Sequence, residues 1–288
     1  MGTRFELVLG GDDKTQLRAA GEEALEEIAL WDRHLSRFRR DSQVSHANRH
    51  AAAGWVSLAP EVFRLLERCR DLWEATDGRF DPALGAVMQR LGFHGDREPG
   101  SENDSNPVPL AHRFDRVALD ADRHAIRFAT AGLSLDLGAV GKGWALDRAA
   151  QILDDHDVGC ALIHGGTSTV IARGAPPDAE GWIVGVADPL VPERPLARCV
   201  LGDGEALSVS APHGRSVDVG GHILDPRTGA SAGDVALAAV VDTEAVRADA
   251  WSTALVVSAS PAAVGCFIVH GDGRRESSAH QFRSHDSE

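Results

Sequence analysis

Two kinds of hydrophobic pattern are segregated along this chain, and that segregation constrains its fold more than any other feature. Helical spacing of apolar residues fills the first third, from Leu17 to about Phe38, from Pro60 to near Gly78, and from about Pro82 to Leu91. Short stretches of strand-type alternation dominate between Arg116 and Val209. Chains that separate helices from strands in this way fold as α+β proteins rather than as regular βαβ repeats. We therefore predict an α+β fold with N-terminal helices and a largely antiparallel, strand-rich middle, and the length allows one large domain or two small ones.

The balance of charge excludes two classes of protein. The chain has 288 residues with 29 Lys and Arg against 43 Asp and Glu, a formal net charge of −14. A chain this acidic is repelled by phosphate-rich surfaces, so we expect neither nucleic-acid binding nor attachment to an anionic membrane. Only Lys14 and Lys142 are lysines, and all other cationic side chains are arginines. Any cationic function must therefore be local.

The limits of the domain and the location of the protein follow from simple patterns. We expect one domain over residues 1–271, with a charged, frayed tail over 272–288. The four cysteines are far apart without a CxxC pair, which indicates reduced core thiols. No apolar stretch is long enough to cross a bilayer, and the first residues do not resemble an export signal. The sequence as written predicts a cytoplasmic protein, or a periplasmic, membrane-anchored one if an export leader is missing from it.

A glycine-rich segment around Lys142 is the most informative motif. Leu135-Asp136-Leu137-Gly138-Ala139-Val140-Gly141-Lys142-Gly143 places an acidic residue, small residues and a lysine just before an expected helix. Backbone N–H groups at a helix N-terminus, with an ammonium beside them, suit a phosphate. The spacing fits neither a P-loop nor a GxGxxG fingerprint, and the alternative is a tight turn whose lysine points to water.

Two further segments contain candidate functional groups. His222 lies between a glycine turn and Asp225-Pro226-Arg227-Thr228-Gly229, which is also a plain β-turn sequence. Asp249 and Thr253 are four residues apart in an expected helix, so their oxygens lie on one side of it and suit Mg²⁺. The alternative for this pair is an aspartate near a helix start and a threonine that bonds back to its own helix.

Taken in order, these segments and several others resemble the ApbE family of FAD:protein FMN transferases. The matching segments, over residues 1 to about 258, are Met1-Gly2-Thr3, Leu35-Ser36-Arg37-Phe38 with Asp41-Ser42 and Ser45-His46-Ala47-Asn48, Gly78-Arg79-Phe80-Asp81-Pro82, residues 135–143, Gly165-Gly166, residues 222–229 and residues 248–254. The resemblance implies an ApbE-like, T-fold-like α+β domain. The implied activity is Mg²⁺-dependent transfer of FMN from FAD to a Thr or Ser hydroxyl of a target flavoprotein, with release of AMP.

Residue roles implied by this resemblance can be assigned position by position. The metal would be held by the Ala139 carbonyl and by the side chains of Asp249 and Thr253. The expected FAD contacts are Met1, Phe38, Arg79, Phe80, Asp81, Asp136, Lys142, His222 and Ile223. Cleavage of a pyrophosphate also needs a lysine to neutralise charge and a base to take the proton of the acceptor. Lys142 would be that lysine, and His222 the base, with Asp225 as an alternative.

Three positions depart from the family pattern. Thr167 follows the Gly165-Gly166 pair where the family has Asn or Asp, Ala211 stands where a glycine is usual after the hydroxyl residue, and Gly221 replaces a serine before His222. These departures bear on the acceptor side of the reaction. They leave two other hypotheses open, an FAD pyrophosphatase that gives FMN and AMP, and an FAD-binding protein without catalysis.

Overall fold

The computed structural model describes residues 3–93, 113–188, 195–212, 216–217, 220–260 and 264–284. The chain divides into two compact units, each made of separate stretches. The first unit contains Met1–Asp32, Val140–Ala211 and Asp234–Glu288, and the second contains Arg33–Ala139 and Pro212–Gly233. Because the stretches alternate along the chain, no single cut separates the units. The domain limits 1–271 and 272–288 remain a prediction.

The helices follow the predicted pattern closely, with one addition. In chain order they are α1 Lys14–Leu35, α2 Gln43–His50, α3 Pro60–Ala75, α4 Gly85–Arg90, α5 Gly141–Asp155 and α6 Ala245–Val257, with a 3-10 turn at Phe114–Arg116. α2 was not expected from the sequence, because its buried face consists of Val44, Ser45 and Ala47 and gives little apolar periodicity. None of the helices in the described ranges has the length and apolar content needed to cross a membrane.

The strands form antiparallel sheets, which confirms the α+β class. In chain order they are β1 Phe5–Gly10, β2 Val56–Ser57, β3 Val117–Asp120, β4 Ala125–Phe128, β5 Cys160–Gly165, β6 Thr169–Arg173, β7 Trp182–Ala187, β8 Pro195–Leu201, β9 Ala206–Ser210, β10 Ser216–Val217, β11 Gly220–Gly221, β12 Val235–Asp242, β13 Gly265–His270, β14 Arg275–Ser277 and β15 Phe282–Ser284. The first unit has a seven-stranded sheet of order β1-β5-β6-β9-β12-β13-β14 and a three-stranded sheet of order β15-β8-β7.

The large sheet of the first unit has two different faces. One face packs against the small sheet through a core of buried residues, Leu162, Val170, Ala172, Val186, Leu196, Ala197, Cys199, Leu201, Leu207, Leu237, Ala239, Val241, Phe267 and Val269. Because side chains alternate along a strand, the residues between these ones point to the opposite face, against which α5 and α6 pack. Thr169, Ser208 and Ser210 lie on this helical face. They are polar residues at positions where a core would ordinarily be apolar.

The second unit is built on α3 and the sheet β2-β4-β3. Its largest fully buried side chains include Phe63, Phe80, Phe114 and Ile126. The sequence pattern also predicts a strand at Leu133–Leu137, but no strand forms there apart from an isolated bridge between Leu84 and Ser134. Instead the Leu135 amide donates to the side-chain oxygen of Asn48 at 2.7 Å, and the side-chain NH₂ of Asn48 donates to the Leu135 carbonyl at 3.0 Å. Because both backbone groups of Leu135 are satisfied in this way, a neighbouring strand is not needed there.

The region after Gly271 also differs from the sequence-based expectation of a frayed tail. β14 pairs with β13, and β15 pairs with β8. The ring of Phe282 stacks on Phe267 with centroids 5.5 Å apart. This part of the chain is therefore held by backbone pairing and an aromatic contact despite its many charges. Residues 285–288 lie outside the described ranges.

Candidate functional site

Asp249 is a buried carboxylate in the second turn of α6, with only 3% of its surface exposed. Three groups donate hydrogen bonds to it. The Gly143 amide lies 2.7 Å from Oδ2, while the hydroxyls of Thr169 and Ser208 lie 2.7 Å and 2.6 Å from Oδ1. All three donors are neutral. A buried carboxylate that keeps its charge calls for a cation, because neutral donors alone do not balance that charge.

The hydroxyl of Thr253 lies on the same side of α6, as the four-residue spacing predicts. Ser252 donates to the Asp249 backbone carbonyl at 3.0 Å, and Ser210 lies 2.8 Å from the Ser252 oxygen. Because each hydroxyl has one proton, Ser210 donates to Ser252, and its oxygen can accept from Thr253 at 3.5 Å. This order of donors leaves the lone pairs of Thr253 available for another partner.

These oxygens fit a hard divalent cation. Within the described ranges no cluster of three or more His, Cys, Asp or Glu side chains could hold a metal, so a metal would need hydroxyl and carbonyl ligands. Asp249 and Thr253 supply a carboxylate and a hydroxyl, which suit Mg²⁺. Ala139, the third predicted ligand, is half-buried and lies two residues before α5. A carboxylate, a hydroxyl and a backbone carbonyl are all oxygen ligands, so the three predicted residues are chemically suited to Mg²⁺.

Lys142 is the second residue of α5 and is half-buried. Its position at a helix N-terminus, where backbone N–H groups lack helical partners, is the arrangement expected for phosphate binding. Gly143 next to it permits a close approach of α5 and α6. A Cβ at Gly143 would lie 2.3 Å from the Ala245 carbonyl oxygen, so a larger residue cannot occupy this position without moving a helix.

Asp147, which the sequence did not single out, fixes the start of α6. Its two carboxylate oxygens accept the amide protons of Ala245 and Val246 at 2.8 Å and 2.9 Å. Burial raises the pKa of Asp147 to about 7, helped by the charges of Glu244 and Asp249, although the two amides act in the opposite direction. The sequence feature that could have identified Asp147 is an acidic residue directly after the apolar Ala145-Leu146 pair of the expected helix.

In the second unit, Asp225 is held by Arg227. The Arg227 backbone amide and guanidinium donate three hydrogen bonds to the carboxylate, each 2.9 Å long. Partial burial acts to raise the pKa of Asp225, but the hydrogen bonds and charge of Arg227, with the charge of Arg79, outweigh it and lower the pKa. A carboxylate of lowered pKa is a weak base. Asp225 is therefore a poor candidate for the predicted base.

His222 follows β11 and is half-buried, and Ile223 beside it is 7% exposed. The Ile223 carbonyl accepts the Ala232 amide at 2.9 Å, which closes the turn. Gly221, one of the departures, has a steric reason in this chain. A Cβ at Gly221 would lie 2.6 Å from the Pro212 carbonyl oxygen, so the serine usual in the family would clash here.

The predicted stretch Arg79, Phe80 and Asp81 is largely committed to the fold of the second unit. Phe80 is 1% exposed, and Asp81 accepts hydrogen bonds from the Ala83 amide at 2.8 Å, the Trp73 indole at 3.1 Å and the Phe114 amide at 3.2 Å. Burial nevertheless raises the pKa of Asp81 to about 6. Of the three, only the half-buried Arg79 presents a charged group for a ligand.

The remaining predicted contacts differ in exposure. Phe38 is 69% exposed in the loop after α1, which is unusual for a large aromatic side chain. Asp136 forms an ion pair with Arg37 at 3.2 Å and accepts the Gly138 amide at 2.8 Å. Arg37 also donates to the Gly85 carbonyl at 3.0 Å, so it orients the Asp136 carboxylate. Met1 lies outside the described ranges.

Comparison with known proteins gives a consistent match over nearly the whole chain. The model of the ApbE family matches residues 1–266. The FAD:protein FMN transferase of Rhodobacter capsulatus is 31% identical over 273 residues, which cover 89% of this chain. The FAD:protein FMN transferase of Klebsiella pneumoniae (strain 342) is 27% identical over 263 residues and 88% of the chain. The chain spans 50% of the length of the first relative and 79% of the second.

Solved structures agree with the sequence matches. The crystal structure of the ApbE protein from Thermotoga maritima superposes with a TM-score of 0.83 at 29% identity, covering 96% of this chain and 94% of that one. The flavin transferase ApbE from Vibrio cholerae has the same fold, with a TM-score of 0.76 at 22% identity, covering 97% of this chain and 94% of that one.

Proposed function

The chain belongs to the ApbE family, and on that premise we propose that it transfers the FMN part of FAD to a Thr or Ser hydroxyl of a target flavoprotein. The other product is AMP. The observation that carries this proposal is the buried Asp249, whose carboxylate accepts hydrogen bonds from three neutral donors and which lies four residues before Thr253 on α6. A cation held there is what the cleavage of a pyrophosphate needs.

The reaction exchanges one phosphorus–oxygen bond for another. The acceptor oxygen attacks the phosphorus of the FMN half, and the bond from that phosphorus to the bridging oxygen breaks, so that AMP leaves with the bridging oxygen. The proton of the acceptor hydroxyl must go to a base, and we assign that role to His222. Asp225 is a poorer base because Arg227 holds its carboxylate in the ionised form.

Charge neutralisation is divided between the chain and the metal. Asp249, Thr253 and the Ala139 carbonyl would hold Mg²⁺, which, when bound, offsets the negative charge of pyrophosphate oxygens. Lys142 adds a compact positive charge at the N-terminus of α5, where the helix dipole has the same sign. Asp147 fixes the first turn of α6 and so keeps Asp249 in place.

The test is an incubation of the full chain with FAD, MgCl₂ and a flavoprotein that carries a Ser or Thr flavinylation site. We expect an FMN adduct on the acceptor by mass spectrometry and an equal amount of AMP by chromatography. EDTA, the Asp249→Ala variant and an acceptor with Val at the flavinylated position should each abolish the adduct. FMN and AMP without an adduct would identify a pyrophosphatase, and bound FAD without any product would identify a binding protein.

A further inference from the structure

The hydroxyls of Thr169 and Ser208 meet at a single oxygen of Asp249. The two residues are direct partners in the pairing of β6 with β9, so their side chains point to the same face of the sheet at the same level. Thr169 is 1% exposed and Ser208 is 2% exposed. Both donate to Oδ1, at 2.7 Å and 2.6 Å. The register of two strands thus directs two protons to one carboxylate oxygen.

Counting lone pairs shows what this leaves for a metal. Each carboxylate oxygen can accept about two hydrogen bonds in its plane. Oδ1 already receives two, whereas Oδ2 receives one, from the Gly143 amide at 2.7 Å. Among the hydrogen bonds formed by the described residues, those to Asp249 leave a free lone pair on Oδ2 and none on Oδ1. A cation can therefore bind this carboxylate through one oxygen only, unless the hydroxyls move away.

We infer that Thr169 and Ser208 make Asp249 a one-oxygen ligand through Oδ2, and that this selects Mg²⁺ over Ca²⁺. The inference rests on the proposed function, which places a divalent cation at Asp249. Mg²⁺ takes six ligands at about 2.0–2.1 Å and is satisfied by single carboxylate oxygens. Ca²⁺ takes roughly six to eight oxygens at longer distances and commonly uses both oxygens of a carboxylate. Blocking Oδ1 removes one of the ligands that Ca²⁺ would use.

The competing interpretation is that the two hydroxyls only satisfy a buried carboxylate. Under that interpretation their removal lowers stability but affects all divalent cations equally. The two interpretations therefore predict different ratios of the Ca²⁺ to the Mg²⁺ dissociation constant in the variants. A loss of stability affects both constants alike and leaves this ratio unchanged.

The variants are Thr169→Val, Ser208→Ala and the double variant. Each protein is first loaded with Mn²⁺, and MgCl₂ or CaCl₂ is then titrated in separately, without FAD. The Mn²⁺ that is displaced is measured by electron paramagnetic resonance, which detects free Mn²⁺. We expect the ratio of the Ca²⁺ to the Mg²⁺ dissociation constant to fall by about tenfold in the double variant, and by less in each single one. A ratio within twofold of the wild type would overturn the inference.

A matched control is available in the second unit. Thr76 is 1% exposed, like Thr169, and its hydroxyl donates to the Leu72 carbonyl at 2.8 Å, not to a carboxylate. Thr76→Val removes a buried hydroxyl by the same substitution, and it should leave the ratio unchanged. A change as large as that in Thr169→Val would show that loss of any buried hydroxyl alters selectivity, and would overturn the inference.

A second measurement does not depend on how the variants fold. A crystal structure of the wild-type chain with MnCl₂ should show the ion bonded to Oδ2 of Asp249, with Oδ1 still held by Thr169 and Ser208. Bonds from the ion to both oxygens would overturn the inference, even in a chain that transfers FMN. A wild type that binds no divalent ion and forms no FMN adduct would overturn the proposed function, and the inference with it.

Discussion

The amide of Gly143 donates to the carboxylate of Asp249 at 2.7 Å, and this bond joins the first turn of α5 to the second turn of α6. The same contact brings the backbone of Gly143 against that of Ala245, with no room for a side chain. Lys142 and Asp249, the two charged residues proposed to act on the pyrophosphate, are therefore positioned by one contact between two helices.

Gly143→Ala should disrupt this contact. The added Cβ would lie 2.3 Å from the Ala245 carbonyl oxygen, so the helices must separate and Asp249 must lose the Gly143 amide. We expect a loss of about 2–3 kcal/mol in the free energy of unfolding and weaker Mg²⁺ binding. Gly185→Ala in β7 is the control, because a Cβ there has no neighbour within 4 Å. Equal unfolding midpoints of the two variants in urea would contradict the prediction.

Lys142→Arg tests whether a compact ammonium is needed at the start of α5. The planar guanidinium is larger and donates in a fixed fork, so it should fit the same position poorly. We expect the rate of FMN transfer to fall by about tenfold or more, measured by mass spectrometry at saturating FAD. Lys14→Arg, at the exposed start of α1, changes the other lysine of the chain and should have no effect. An unchanged rate in Lys142→Arg would show that charge alone is sufficient.

Asp147 should make stability depend on pH. Its pKa is raised to about 7 in the folded chain, so the folded state binds this proton more tightly than the unfolded state. The contribution of Asp147 is therefore fully present below its unfolded pKa of about 4 and is lost as the pH rises to about 7. Between pH 5 and 7 the free energy of unfolding should fall by roughly 2 kcal/mol from this group.

The Asp147→Asn variant provides the comparison. The amide side chain keeps one acceptor for the start of α6 but does not titrate. Urea unfolding of both proteins at pH 5 and pH 7 should show that the fall attributed to Asp147 is absent from the variant. Parallel curves for the two proteins would show that Asp147 does not titrate in this range.

His222 and Asp225 can be separated by their pH profiles. The pKa of Asp225 is lowered, so Asp225 is already ionised above pH 5 and cannot cause a loss of rate in mild acid. We expect His222→Gln to lower the transfer rate by about a hundredfold or more and to flatten its dependence on pH. Asp225→Asn should cost less than about tenfold, through the turn it shares with Arg227, and should keep the wild-type profile. The reverse order of effects would make Asp225 the base.

Much of the fold could be predicted because its signals are local. The helix that the sequence predicts around Asp249 and Thr253 forms over Ala245–Val257, so the shared side of those two residues followed from spacing alone. The sequence contains no signal for α2, and the strand predicted at Leu133–Leu137 does not form. In both cases a polar side chain, Ser45 or Asn48, replaces the apolar or backbone partner that the patterns assume.

The surroundings of Asp249 could not be predicted, because they depend on strand register. Thr169 and Ser208 are far apart in sequence, and only the pairing of β6 with β9 brings their hydroxyls to one oxygen. The available signal was the alternation of Ser208 and Ser210 in an otherwise apolar strand. Such alternation indicates a polar face but does not identify what that face contacts.

The order of strands in the large sheet has a consequence for biosynthesis. The strands β6 and β9, which carry Thr169 and Ser208, precede β12, and α6 with Asp249 follows β12. Pairings between distant parts of a chain form slowly and only after both parts exist. The nascent chain therefore cannot assemble the surroundings of Asp249 until α6 has left the ribosome. A chain released before α6 is made therefore lacks the carboxylate to which we assign the metal.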